Sequence, residues 1–207
     1  MIIPIKTLCQ QDPRWADLKL GGSPFTVGQD GCTFTASVAL AQAFGKNLDL
    51  PTVLAAANAA SVFDSGGSLS WIPLAQVLGL DWGFVWSTDA DPAPNHLLVT
   101  EAAGLAQVER IAQWGVPSVC FVQIDHTGKP RHWVTYVGDG QCVDPWDGVQ
   151  KDFASTFGHL YGYAIFLGTP VLTGGAVGQM VGKANEISHG RNAALNAGEI
   201  IQAVTRP

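Results

Sequence analysis

Three residues of types used in nucleophilic catalysis occur in order along this chain: Cys32, His132 and Asp144. Cys32 follows the turn sequence Gly28-Gln29-Asp30-Gly31 and begins an alanine-rich helical run. A thiol at a helix N-terminus feels the positive end of the macrodipole, which lowers its pKa and favours the attacking thiolate. The alternative is a buried structural cysteine beside a turn, and for a lone cysteine that alternative prevails. The other thiols, Cys9, Cys120 and Cys142, are too few and too scattered for a disulfide scaffold. No two cysteines form a Cys-x-x-Cys pair, and no His/Asp/Glu cluster has metal-ligand spacing, so neither a metal nor another cofactor is expected.

His132 opens one extended run and Asp144 closes the next, so hairpin register decides whether they meet. A two-residue loop at Asp139-Gly140 pairs Gly138 with Gln141 and sets Asp144 opposite Thr135, on the wrong face. A three-residue loop, Gly138-Asp139-Gly140, pairs Val137 with Gln141 and sets Asp144 opposite Val134. Val134 is two residues from His132, and alternate strand residues share a face. Gly140 supplies the left-handed conformation such a loop needs at its last position. With such an odd loop, or with a bulge around Gly138 to Gly140, Asp144 can orient an imidazole, as triad logic requires. Asp144-Pro145 is equally readable as a simple turn starter.

The elements that must hold these residues change character along the chain. Helical periodicity or helix boundaries mark Cys32 to Phe44 (stopped by Gly45), Thr52 to Ala60 (behind Pro51), Trp71 to Leu78 (stopped by Gly79) and Leu105 to Trp114. Asp81 to Trp86 reads as short and extended. Thereafter the period is two, over Ser118 to Ile124, His132 to Val137, Gln141 to Asp144 and Tyr161 to Leu167. Helices followed by antiparallel strands make an α+β arrangement. Every Phe, Trp and Tyr lies at or before Phe166. The core should therefore close there, giving a domain over 1–168. Residues 169–207 read as a Gly/Ala-rich tail: a linker, a weak helix near Ala193 to Val204, and a candidate segment for binding a protein partner.

Several short motifs occur in the order seen in one family. They are Gln10-Gln11-Asp12-Pro13-Arg14-Trp15, Val27-Gly28-Gln29-Asp30-Gly31-Cys32-Thr33-Phe34-Thr35, Ser65-Gly66-Gly67-Ser68-Leu69-Ser70-Trp71, and His132-Trp133-Val134 with Val143-Asp144-Pro145-Trp146-Asp147-Gly148. Over about Ile3 to Leu167 the chain resembles the papain-like cysteine peptidases of the bacteriocin-processing (double-glycine) peptidase-like branch. The resemblance implies a papain-like fold with Cys32 as nucleophile, His132 as general base and then acid, and Asp144 as orienter. It implies that Gln10, matching the family's Gln-x-Asp-x-x-Trp pattern, completes the oxyanion hole with the backbone N–H of Cys32. Gln29 is the competing candidate, and Gln11 is out of register with Asp12 and Trp15. The family usually has Gly, Pro and a small residue after the cysteine, where Thr33-Phe34-Thr35 stands here. Phe34 is thus expected to narrow the substrate cleft, with Trp133 and Trp146 lining it. His159 is a less favoured alternative base, more readily a core histidine bonded to backbone, and His126 sits in a hairpin tip.

Composition bounds the function classes. Of 207 residues 47% are hydrophobic and 14% charged, which excludes disorder of the whole chain. A net charge of −6 disfavours holding nucleic acid or an anionic membrane through the bulk field. No run approaches the ~18 apolar residues of a membrane span. The opening Met-Ile-Ile-Pro-Ile-Lys lacks the features of a signal peptide, so synthesis in the cytoplasm is expected. Two functions compete. One is a thiol hydrolase of peptide or amide bonds, for which the resemblance suggests a phage-encoded hydrolase of cell-wall peptides, virion-associated or released to the wall. The other is a catalytically inert structural or peptide-binding module with the same fold.

Overall fold

The computed structural model describes residues 2–93, 96–124 and 131–168. The chain divides after Leu172, and every described residue falls in the first unit. The loop carrying His126 and the tail from 169 onward, with its expected helix, lie outside the described residues.

Four helices come first: α1 (Val27–Asp30), α2 (Cys32–Gln42), α3 (Leu50–Ala59) and α4 (Trp71–Leu78). Next come β1 (Asp81–Thr88), β2 (Leu97–Val99) and α5 (Glu101–Gln113). The remainder is β3 (Ser118–Gln123), β4 (Arg131–Gly138), β5 (Gln141–Asp144), β6 (Val149–Asp152), α6 (Phe153–Thr156) and β7 (Leu160–Leu167). Local chemistry sets the boundaries. Asp49 caps α3 by accepting from the Thr52 N–H, with Pro51 in the first turn. Gly79 ends α4 in the left-handed conformation at φ 65°. The helix expected from Leu105 starts four residues earlier, where Thr100 accepts from Ala103 N–H as N-cap.

The seven strands form one sheet in the order β2-β1-β7-β3-β4-β5-β6. Its pairs are antiparallel except β1 with β2, which run parallel. The fold is therefore mixed α+β, with N-terminal helices and a C-terminal multi-stranded sheet. It departs from helices laid on a purely antiparallel sheet in two ways. The β1–β2 edge is parallel, and both faces of the sheet carry helix. Thr135 donates its hydroxyl to Ala36 O of α2 at 3.0 Å, while the next residue, Tyr136, donates to Glu109 of α5. Consecutive strand residues point to opposite faces, so α2 and α5 cover opposite sides. Two apolar clusters follow: Phe34, Leu40, Leu54 and Leu74 among the N-terminal helices, and Val108, Ile111, Val134 and Tyr163 against α5.

Of the two devices that let Asp144 face His132, an odd loop or a bulge near Gly138 to Gly140, the hairpin uses the bulge. Gly138 pairs with Gln141 across a two-residue turn, Asp139-Gly140, whose φ values are 55° and 67°. Two positive φ values match the twist of the flanking strands. Taken alone, this turn would put Asp144 on the wrong face. Between Gly138 and Tyr136 the pairing shifts by one residue, with Val137 bulged out, and Tyr136 then pairs with Cys142 and Thr135 with Val143. Continuing that register sets Asp144 opposite Val134, two residues from His132.

Candidate functional site

Cys32 is the first residue of α2, and Gly31 before it is required by space. A Cβ at Gly31 would lie 2.5 Å from Val27 O, closer than packed atoms approach. The preceding Gly28–Gly31 stretch, expected as a turn, belongs largely to α1 with Gly31 as its C-cap. From Phe34 to Ala41 every residue of α2 is buried, so its small Ala, Ser and Thr side chains let β4 pack closely. The first two residues, Cys32 and Thr33, and the last, Gln42, remain partly open to solvent.

His132 and Asp144 are both buried, and His132 Nε2 lies 2.6 Å from Asp144 Oδ1. That leaves Nδ1 as the ring nitrogen available to Cys32. Burial alone would push the Cys32 thiol up, but the hydrogen bond and charge of His132 outweigh it. The Trp133 backbone and the Thr33 hydroxyl add to this, and the thiol titrates below its ordinary value. Desolvation likewise opposes protonation of His132, yet Asp144 and Cys32 together raise it to about 9. Burial disfavours charge on Asp144 too, but His132, then Lys151 and the Trp146 N–H, pull it down to about 2. All three shifts favour one charge state: thiolate, imidazolium and carboxylate in a row.

Asp144 makes both of the contacts open to it in the sequence. Its Oδ1 accepts from Trp146 N–H at 2.8 Å, closing a side-chain turn over Pro145, while the same oxygen meets His132. Its second oxygen, Oδ2, is 2.7 Å from Lys151 Nζ. Lys151 also lies 2.7 Å from Asp147 Oδ2. This lysine was not among the expected site residues. The available signal was its i,i+4 spacing from Asp147, together with a hairpin that pairs Lys151 with Cys142, two residues before Asp144.

Gln10 is 1% exposed and bridges the two halves of the site. Its backbone N–H donates to Pro145 O at 2.6 Å, beside Asp144. Its side-chain Nε2 donates to Gly28 O at 3.1 Å, four residues before Cys32. One amide hydrogen is thereby used and a second stays available, while Oε1 has no hydrogen-bond partner. Gln11 reaches the same carbonyl at 2.5 Å from an exposed position. Gln29, the competitor, is exposed, and its Oε1 accepts from Thr26 N–H at 3.1 Å as part of the α1 cap.

The expected cleft residues separate. Trp146 is 52% exposed beside Asp144. Trp133 is half-buried, stacked on Phe121 at 4.7 Å and edge-on to Trp71 at 5.2 Å. Phe34 is 1% exposed and packs edge-on against Phe63 at 5.6 Å, so it belongs to the core and lines no cleft. The third position of α2 turns inward because every residue from Phe34 to Ala41 is buried. His159 is outside the core: it is exposed and pairs with Glu101 at 2.9 Å.

Among the described residues no group of His, Cys, Asp and Glu is arranged to hold a metal ion, and no helix is long and apolar enough to cross a membrane. No family model and no curated protein matches the chain.

Proposed function

We propose that the chain is a thiol hydrolase acting on a peptide or amide bond through an acyl-enzyme. The observation that carries this reading is Cys32 at the start of α2, interacting with a buried imidazole whose far nitrogen is 2.6 Å from a buried carboxylate. In the proposed reaction the Cys32 thiolate attacks the scissile carbonyl carbon. Imidazolium His132 gives its proton to the leaving amine as the C–N bond breaks. Water then attacks the thioester, His132 takes its proton, and the carboxylic acid product leaves with the thiolate restored. Asp144 keeps the ring oriented and supports its positive charge. The unused amide hydrogen of Gln10, with the backbone N–H of Cys32, is the proposed donor pair for the oxyanion. Cell-wall peptides, including those met by a phage-encoded enzyme, are the first substrates to try.

The test is release of new amines from cell-wall peptides and from a general peptide library, wild type against Cys32→Ala. Release by the wild type alone supports the hydrolase. Equal background release by both proteins favours an inert peptide-binding module.

A further inference from the structure

Lys151 lies where a hydrolase of this kind has no evident need of a cation. On β6, with its side chain 24% exposed, it closes the chain Cys32–His132–Asp144–Lys151–Asp147. Asp144 Oδ1 is occupied by His132 and the Trp146 N–H, and Oδ2 by Lys151, so the carboxylate is held at both oxygens. We propose that Lys151 is a positioning residue that divides the charge of Asp144: its ammonium fixes the outer oxygen and limits how tightly His132 holds its proton. This role rests on the hydrolase reading above, because only a general acid must give its proton up.

Charge arithmetic supports the need. A carboxylate 2.6 Å from an imidazole in a water-poor site stabilises the imidazolium strongly. An imidazolium held too firmly is a poor acid toward a leaving amine, since the ideal catalytic pKa lies near the working pH. A cation on the far side of the carboxylate opposes that stabilisation, both by neutralising part of the carboxylate and by repelling the imidazolium. The groups facing Asp144 are His132 on β4, Cys142 on its own strand, Lys151 on β6, and Asp147 in the intervening turn. Cys32 lies beyond His132. Asp147, also bonded to Lys151, stops the lysine from acting as a full unshared charge.

The test is the titration midpoint of the His132 ring in the intact chain, read by NMR of labelled histidine and assigned with His132→Gln. Lys151→Met should raise the midpoint by about half a unit to one unit, and Lys151→Arg should return it to the wild-type value. A purely structural strap on β6 would change the melting temperature but leave the midpoint where it was. An unchanged or lowered midpoint in folded Lys151→Met overturns the proposal. Should that variant fail to fold, Asp147→Asn decides. Freeing the lysine from its second carboxylate should lower the midpoint by a smaller amount, and no change or a rise overturns the proposal. Cys32 reactivity in the wild type separates the two readings. A reactive Cys32 with an unmoved midpoint removes only the lysine's role, whereas an inert Cys32 removes the hydrolase.

Discussion

Among the described residues, two histidine–carboxylate pairs of nearly equal length sit in different surroundings. His132 and Asp144 are 2.6 Å apart with side chains 6% exposed, whereas His159 and Glu101 are 2.9 Å apart with side chains 60% and 28% exposed. The first pair has a thiol on one side and an ammonium on the other; the second ties the start of α5 to the start of β7, with Glu101 also accepting from Leu160 N–H at 2.7 Å. Water and salt screen an exposed pair, so it is worth about 0–1 kcal/mol. Burial multiplies the same Coulomb attraction and ties the charge of each member to the others. Distance alone therefore does not distinguish a strap from a reactive centre; the surroundings do.

The largest expected difference between the pairs lies in their loss. His132→Ala should reduce hydrolysis almost as severely as Cys32→Ala, by about 10²–10⁴-fold, since base, acid and thiolate partner disappear together. His159→Ala should leave turnover within about twofold, within the residual effect of a screened surface pair. Steady-state rates on one peptide substrate check both, and comparable losses would erase the distinction. Asp144→Asn should fall between, at about tenfold to a hundredfold, because the imidazole stays while its charge partner goes.

A smaller effect is thermodynamic and depends on pH. Asp144 is depressed from 3.8 to about 2, so its contribution is complete above the unfolded value and fades as pH falls toward 2. His132 is raised from 6.5 to about 9, so its contribution is complete below 6.5 and is lost as pH rises through 9. The melting-temperature gap between wild type and Asp144→Asn should thus be widest between about pH 4 and 6.5 and shrink on both sides. A gap independent of pH would mean that the pair is not ionic. The analogous gap for Glu101→Gln should stay small throughout.

The β4–β5 turn sharpens the comparison from another side, because only the His132 pair depends on it. A Cβ at Gly140 would meet Asp152 Oδ2 only at 4.0 Å, an ordinary contact, but φ is 67°, so Gly140→Val should cost about 1–3 kcal/mol through backbone strain. Denaturant titration measures this. The variant should also slow Cys32 chemistry while leaving the His159 pair intact.

Much of this arrangement is legible in residue types and periods, and what escapes has local physical reasons. Cys32 after a glycine turn, Gly79 as a helix stop and the β-branched runs of β3 and β4 are strong local signals. β2 spans three residues and β6 reads Val-Gln-Lys-Asp, so edge strands this short and polar lack a period to detect. Parallel pairing of β2 depends on distant contacts. The need for an odd loop or a bulge near Gly138 follows from the register, but nothing in composition chooses between them or marks Val137 as the bulged residue. Phe34 follows the cysteine closely enough to suggest a cleft, but α2 is buried from Phe34 to Ala41 and takes it inward. Lys151 looks like an ordinary edge-strand charge until the hairpin folds it back over Asp144.

The most direct test of the central claim uses the two partly exposed thiols, Cys32 and Cys9, in one protein. The full chain is treated with iodoacetamide at pH 6, and the labelling rate of each cysteine is read by peptide mass. A thiol with pKa ~8.5 is almost wholly protonated at that pH. Cys32, at a helix start and beside an imidazolium, should label about tenfold to a hundredfold faster than Cys9, and His132→Ala should remove that advantage. Equal rates at the two sites, or a Cys32 rate unaffected by His132→Ala, would contradict the account.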